Sequence, residues 1–486
     1  MRARDLLLTL DETPGVPLGQ RVVLTLQRAI LEGRLVPGTA LPGSRVLSEM
    51  LGVNRQTVIP AVQELEAQGW LMTLPNRGTY VADELPTGAR PVHVRGEDGA
   101  PMVGFDLPSF LQPVSTTTSG TLLLADGAAD PRLAPAEELA RGYQRALRRH
   151  GPHLLQDRDP LGTPLLREAV AAWITERHGI RVEPSQVLIT RGSRGALALL
   201  AGALFRPGDI AAVENPGNRG AWDILQQGAR LSLRPVPVDA DGLIPEALEA
   251  LLKRERIRAL YLTPRRQFPT TATLSNERKA EILRLATQYR VAVLEDDYDG
   301  ELCYTEHRME PLLAQDRTGQ VIHLGSLSRL LAPGLRLGYL VLPALLAPLL
   351  ARAKKAREEQ GDPAFEWAVA DLIRDGDLAA HLRKTRKVYK TRRDHLVALL
   401  RERLGAHLEV EPAEGGMGLW IRVTSGVEVG AWIREARACG LMLNPPAHFF
   451  MDEAEPAFRM GFAQADETEL KEAVERLTTA LARLKL

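Results

Sequence analysis

Six short runs constrain this chain more than anything else in it: "QVLITRGS" (186–193), "DIAAVENPG" (209–217), "RALYLTP" (258–264), "VAVLEDDYD" (291–299), "VIHLGSLS" (321–328) and "LGYLVLP" (337–343). Each is apolar at neighbouring positions and ends in Gly, Pro, Asp, Asn or Ser, and stretches of helical pattern separate them. A strand with one wet face alternates apolar and polar residues. Runs without that alternation are buried on both faces, and connecting helices cover both faces of a parallel sheet. From Thr121 onward the chain therefore reads as an α/β domain with a mostly parallel sheet. Sites in such sheets lie beyond the carboxyl ends of the strands. Polar residues collect there: Arg191-Gly192-Ser193, Glu214-Asn215, Asp296-Asp297-Tyr298-Asp299 and Ser326-Leu327-Ser328-Arg329.

The segment before residue 85 follows another pattern. "PLGQRVVLTLQRAILEGRL" (17–35) places Val23, Leu26, Ile30 and Leu31 at helical spacing. Next, Ser44 can cap a short helix with Leu47 and Leu51 inward, Gly52 breaks it, and Asn54 can cap a second with Val58, Val62 and Leu65 inward. Two helices joined by a tight Gly-containing turn make a helix-turn-helix. "LMTLPNRGTYVAD" then reads as a hairpin turning at Pro75-Asn76-Arg77-Gly78. Helix, helix-turn-helix and hairpin in that order make a winged helix. One residue disturbs the pattern. Pro60 lies beyond the first turn of an Asn54-capped helix, where proline typically costs ~3 kcal/mol, so that helix is either kinked or starts later.

"ALPGSR", "LGVNRQTV", "GW" and "RGTYV", in this order over residues 17–82, resemble the GntR-type DNA reader. The resemblance implies that Arg45, Asn54, Arg55, Gln56 and Thr57 face DNA and that Arg77 and Gly78 form the wing tip. Arginine reads guanine edges bidentately, and the start of a recognition helix enters the major groove. Residues 1–84 hold eight Arg against nine Asp and Glu, and the whole chain has a formal net charge of zero. Any attraction to double-stranded DNA must come from local arrangement, not from a global field.

"DPLGTPLLREAVAAWITERHGI", "ENPG", "QFPTTATLS", "EDDYDGEL", "LGSLSRLLAPGLRLGYL" and "FRMGFA" follow one another in the order of fold-type I aminotransferases. More narrowly, they resemble the aminotransferase-like domain of MocR/GabR regulators, in which a GntR-type winged helix is fused to that domain. The expected division is a winged helix over residues 1–84, a Pro/Gly/Ser/Thr-rich linker over 85–120 and an aminotransferase-like domain over 121–486. The resemblance implies pyridoxal phosphate and a head-to-tail homodimer. It matches Asp296 to the carboxylate that pairs with the pyridinium nitrogen and Tyr298 to the phenol on the ring's 3-oxygen. Ser193, Ser326, Ser328 and Arg336 match the phosphate cradle. Arg459 matches the clamp on an amino acid's α-carboxylate.

The sequence departs from that pattern at its centre. Arg329, 33 residues after Asp296, stands where the family carries the lysine that binds the cofactor covalently. A lowered-pKa lysine supplies a neutral amine, whereas a guanidinium stays protonated and cannot serve. No lysine lies between Lys279 and Lys354 to replace it. The tyrosine expected against the ring is also gone: Pro216-Gly217-Asn218-Arg219-Gly220 occupies its motif. Arg194 and Gly195 stand where glutamines are usual, and Arg266 stands for a histidine. The expectation is therefore a transcriptional regulator with a non-catalytic domain that holds no covalent cofactor and takes pyridoxal phosphate, if at all, noncovalently. Two readings of Arg329 stay open. It helps bind an anionic small-molecule effector, or it fills the site through a salt bridge to Asp296. The competing function is a pyridoxal-phosphate aminotransferase with an appended DNA-binding domain.

Other classes are disfavoured. Two distant cysteines, Cys303 and Cys439, suggest neither a disulfide framework nor a metal site. The N-terminal apolar run is too short and too acidic for a signal peptide, and no apolar stretch reaches the ~18 residues of a spanning helix. A cytoplasmic protein without membrane partners is expected.

Overall fold

The computed structural model describes Leu8, Leu10 and residues 15–75, 78–86, 120–156, 159–305, 309–357 and 361–484. The chain divides into two compact units, Met1–Thr116 and Thr117–Leu486.

In the first unit, α1 (Leu18–Leu31), α2 (Ser44–Leu51) and α3 (Arg55–Ala67) precede an antiparallel hairpin of β1 (Leu71–Leu74) and β2 (Gly78–Val81). Val22, Leu26, Leu47, Val58, Leu65, Trp70 and Val81 form its core. Leu31, expected inward, is 46% exposed, because the buried face of α1 closes at Ile30. Ser44 does not cap α2. Gly43 holds the cap position and Ser44 is the first helical residue, which frees its hydroxyl for another task. Gly52 ends α2 with a left-handed φ of 64°, a backbone state glycine enters without a Cβ clash. The Asn54 side chain accepts the Gln56 N–H at 2.9 Å and starts α3 at Arg55. The later start that Pro60 allowed is therefore excluded. Pro60 lies inside α3 on its exposed side, so its ring points to water. Arg77 lies outside the described residues.

The second unit begins with β3 (Leu122–Leu123), α4 (Ala136–Leu154) and α5 (Pro164–His178). Its main sheet comprises β4 (Val187–Thr190), β5 (Ile210–Asn215), β6 (Ser232–Asp239), β7 (Gly242–Leu243), β8 (Ile257–Leu262), β9 (Ala292–Asp297), β10 (Val321–Ser326) and β11 (Gly338–Val341). The spatial order is β4-β11-β10-β9-β8-β5-β6-β7. β6, β5, β8, β9 and β10 are mutually parallel, whereas β11 runs antiparallel to β10 and β4, and β7 antiparallel to β6. All six apolar runs are strands of this sheet. Every residue of β4, β10 and β11 is buried, as the lack of alternation requires. Leu188, Leu294, Leu324 and Leu340 pack on one face with Ala196 and Leu200 of α6 (Gly192–Leu204).

The sequence reading did not identify β6, whose Pro235 and Pro237 demote a run as a strand. It pairs fully with β5 but has only the two-residue β7 beyond it, so proline costs little on that side. A smaller antiparallel sheet of β12 (Leu408–Val410), β13 (Gly418–Val423) and β15 (Ala457–Gly461) packs with helices Asp377–Leu404, Val429–Ala438 and Glu467–Leu484. β14 (Leu441–Met442) pairs with β3 and ties the two ends of the unit together.

Candidate functional site

In the first unit, the residues matched to DNA contact sit at the start of α3 and on α2. Arg45, Arg55 and Gln56 are exposed, and Thr57 is half-buried. Arg45 pairs with Glu49 at 3.6 Å with both side chains open to solvent, a pairing that fixes little. Arg55 is held: its Nε donates to Ser44 Oγ at 3.0 Å. Gly78 opens β2 with a φ of 102°, a value suited to glycine at the hairpin turn.

In the second unit, Ser193, Asn218, Asp296, Tyr298, Ser326, Ser328, Arg329 and Arg336 line one cavity of about 350 Å³. It lies where the sheet rules place it. Asp296 is the penultimate residue of β9, Ser326 ends β10, and Ser193 lies in the first turn of α6 after β4. Gly338 makes this convergence possible: a Cβ there would lie 2.9 Å from the Gly192 carbonyl carbon. The approach brings Arg336, two residues earlier, to the start of α6. Arg336 is exposed at a φ of 51°, an uncommon backbone state for a residue with a Cβ. Its guanidinium has no partner among the described residues.

The floor is polar and buried. Asp296 Oδ2 accepts from Tyr261 Oη at 2.7 Å, and Asn218 Nδ2 donates to Tyr261 Oη at 3.4 Å. Burial pushes the Asp296 carboxyl up to about 6, while the Tyr261 hydrogen bond and the Arg329 charge pull it down. Burial likewise raises the Tyr298 phenol well above its ordinary range. Asp296 Oδ1 and Tyr298 Oη are buried with no hydrogen-bond partner among the described residues, a costly state that a bound polar group would relieve.

Arg329 is not bridged to Asp296: no carboxylate oxygen lies within 4.0 Å of its guanidinium among the described residues. That corrects the salt-bridge reading. Instead Nη1 donates to the Gly127 carbonyl, and the guanidinium carbon lies 5.2 Å from the Tyr298 ring centroid. None of the lining residues is a lysine.

One expected cradle group, Ser328, and the expected carboxylate clamp, Arg459, are committed elsewhere. The Ser328 hydroxyl donates to Leu337 O at 3.1 Å and accepts from Leu337 N at 2.6 Å, locking the loop that carries Arg336. Arg459 is 1% exposed and does not line the cavity. Its guanidinium donates to Asp126 O at 3.2 Å and Pro269 O at 2.8 Å and stacks 4.8 Å over Phe268. Other polar or aromatic residues of the lining, among them Asp126, Arg191, Arg194 and Phe268, were not assigned to the pocket by the sequence reading, nor was Tyr261, which holds Asp296 from outside the lining. Tyr261 carried a signal, as a phenol inside the otherwise apolar stretch Ala259–Leu262 of the run "RALYLTP". Among the described residues no group of His, Cys, Asp and Glu side chains is placed to hold a metal ion, and no helix is long and apolar enough to cross a membrane.

Residues 127–477 match the family of class I and II aminotransferases, and residues 18–81 match the gntR family of bacterial regulatory proteins. The chain belongs to the class I and II aminotransferase family, with a GntR segment ahead of that domain. Its likeness to regulators runs end to end. It is 30% identical over 482 residues to the probable rhizopine catabolism regulatory protein MocR of Rhizobium meliloti, covering 99% of this chain and 97% of the relative. It is 31% identical over 483 residues to the HTH-type transcriptional regulator TauR of Rhodobacter capsulatus, covering 96% of each. Among solved structures it is similar to LysN, the alpha-aminoadipate aminotransferase of Thermus thermophilus, complexed there with N-(5'-phosphopyridoxyl)-L-leucine. The TM-score is 0.70 at 31% identity, over 76% of this chain and 93% of that chain.

Proposed function

We propose that the protein is a sequence-specific DNA-binding transcriptional regulator whose aminotransferase-like domain has given up catalysis. The carrying observation is that GntR and aminotransferase segments stand in one chain similar from end to end to relatives named as regulators. The winged helix (1–84) reads DNA with Arg45, Asn54, Arg55, Gln56 and Thr57 and with the wing residues Arg77 and Gly78. The linker (85–120) joins it to the aminotransferase-like domain (121–486), which forms a head-to-tail homodimer in the cytoplasm. Fluorescence anisotropy against the gene's own upstream region tests this. Binding that weakens steeply with salt and discriminates against scrambled duplex is expected, and equal binding to both duplexes would defeat the reading.

The cavity of the second domain holds an anionic small molecule. Ser193, the N–H groups opening α6, Ser326 and Arg336 suit a phosphate. Asp296 and Tyr298, with their buried unpartnered oxygens, suit the nitrogen and hydroxyl of a pyridine ring. Pyridoxal phosphate, when bound to such a domain, supplies an electron-withdrawing ring. These residues would hold its phosphate and ring, but Arg329, standing for the family's lysine, offers no amine for covalent attachment. Effector binding that favours one arrangement of the domains would then alter DNA affinity. The likeness to LysN favours a second reading, an aminotransferase carrying a DNA-binding domain. Arg329 and the sequestered Arg459 argue against it.

A further inference from the structure

Four guanidinium groups line the cavity, from Arg191, Arg194, Arg329 and Arg336, against two carboxylates, Asp126 and Asp296. Both acids already accept hydrogen bonds: Asp126 from Asn444 at 2.9 Å and Asp296 from Tyr261 at 2.7 Å. None of the four arginines has a carboxylate oxygen within 4.0 Å among the described residues. Arg191 caps α6, Arg194 lies in its first turn, and the Gly338–Gly192 contact brings Arg336 to the same end. Three cations and the positive end of a 13-residue helix thus share one locus. The absence of a side chain at Gly220 leaves room for Arg194, whose guanidinium carbon lies 3.4 Å from where a Cβ would stand.

Arg329 is anchored separately, by one N–H to the Gly127 carbonyl and by its stack over Tyr298. Its remaining N–H groups have no protein acceptor among the described residues. A planar fork held in this way matches a carboxylate bidentately, offers no nucleophile to an aldehyde and repels an ammonium group.

We propose that the cavity selects a ligand with two anionic groups on one aromatic ring, a phosphoryl group at the start of α6 and a carboxylate facing Arg329. It favours the acid form of such a ring over the aldehyde and amine forms. This rests on the reading of the cavity as a retained ligand site. The unpartnered Tyr298 Oη and Asp296 Oδ1 then meet polar positions of the ring between the two anions.

Titration calorimetry of the full-length protein with pyridoxic acid phosphate, pyridoxal phosphate, pyridoxamine phosphate and inorganic phosphate tests the inference. In the wild type the acid binds about tenfold or more tighter than the aldehyde, the yield of one added charge-assisted pair, and the amine binds weakest. Arg329→Met removes the preference for the acid, whereas Arg336→Met weakens all three ring ligands alike. Equal affinities, or tightest binding of the aldehyde to the wild type, overturn the inference and leave the ligand-site reading standing. No binding of any probe, inorganic phosphate included, defeats both. The wild-type ranking decides the matter even if a variant fails to fold.

Discussion

Tyr261 donates its phenolic hydrogen to Asp296 Oδ2 at 2.7 Å, and this is the one hydrogen bond the Asp296 carboxylate receives among the described residues. A buried carboxylate with one oxygen already orphaned depends on the other being held. Tyr261→Phe leaves both without a partner, so the Asp296 carboxyl rises further above its ordinary range. The expected loss of stability is about 1–3 kcal/mol at pH 8, where Asp296 is ionised. The loss shrinks at pH 5, below its raised value of about 6. Urea unfolding at the two pH values checks this, and equal losses would show that the hydrogen bond does not serve the charged form.

Arg55 is exposed, and its Nε rests on Ser44 Oγ at 3.0 Å. That contact aims the guanidinium from the first residue of α3 without burying it. Arg55→Ala is expected to cost about 1–3 kcal/mol of DNA affinity and to flatten sequence preference at one base position. The fold should move by no more than about 0.5 kcal/mol. Ser44→Ala, which loosens the orientation but keeps the cation, should cost less. Anisotropy on single-base operator variants separates the two, and equal effects would mean that the serine contacts DNA itself.

Glu214 is buried at 3% exposure and accepts from Thr263 N at 3.0 Å and Thr263 Oγ1 at 2.7 Å. Burial pushes its carboxyl from an ordinary 4.5 up to about 8, against those hydrogen bonds. The folded state therefore binds a proton that the unfolded chain has released, and stability falls as pH rises from about 4.5 to about 8. Glu214→Gln keeps the acceptor and cannot ionise. Its unfolding free energy should lose this slope and exceed that of the wild type at pH 9. A parallel pH profile in the variant would assign the slope to other groups.

Legibility in the sequence followed burial. The six core strands were readable because covering both faces leaves a sequence trace at every position. β6 was not, because an outer strand tolerates Pro235 and Pro237. The cavity was readable as a set of strand ends, but the commitments of individual side chains were not. The Ser328 hydroxyl is held by Leu337, whereas Arg459 is spent on the Asp126 and Pro269 carbonyls. These partners are distant in the chain or peptide groups without residue identity, so no motif reports them. Arg191 was legible as a strand-end residue, but its convergence with Arg194 and Arg336 was not, because it depends on the loop carrying Arg336 meeting the start of α6.

The central claim is that this cavity holds its ligand without a covalent bond, since Arg329 faces it and no lysine lines it. Intact-protein mass spectrometry after incubation with pyridoxal phosphate and borohydride reduction tests it most directly. The wild type should gain no stoichiometric phosphopyridoxyl group, whereas Arg329→Lys should gain one, mapped to residue 329. A one-to-one, borohydride-fixed adduct on the wild type would contradict the account.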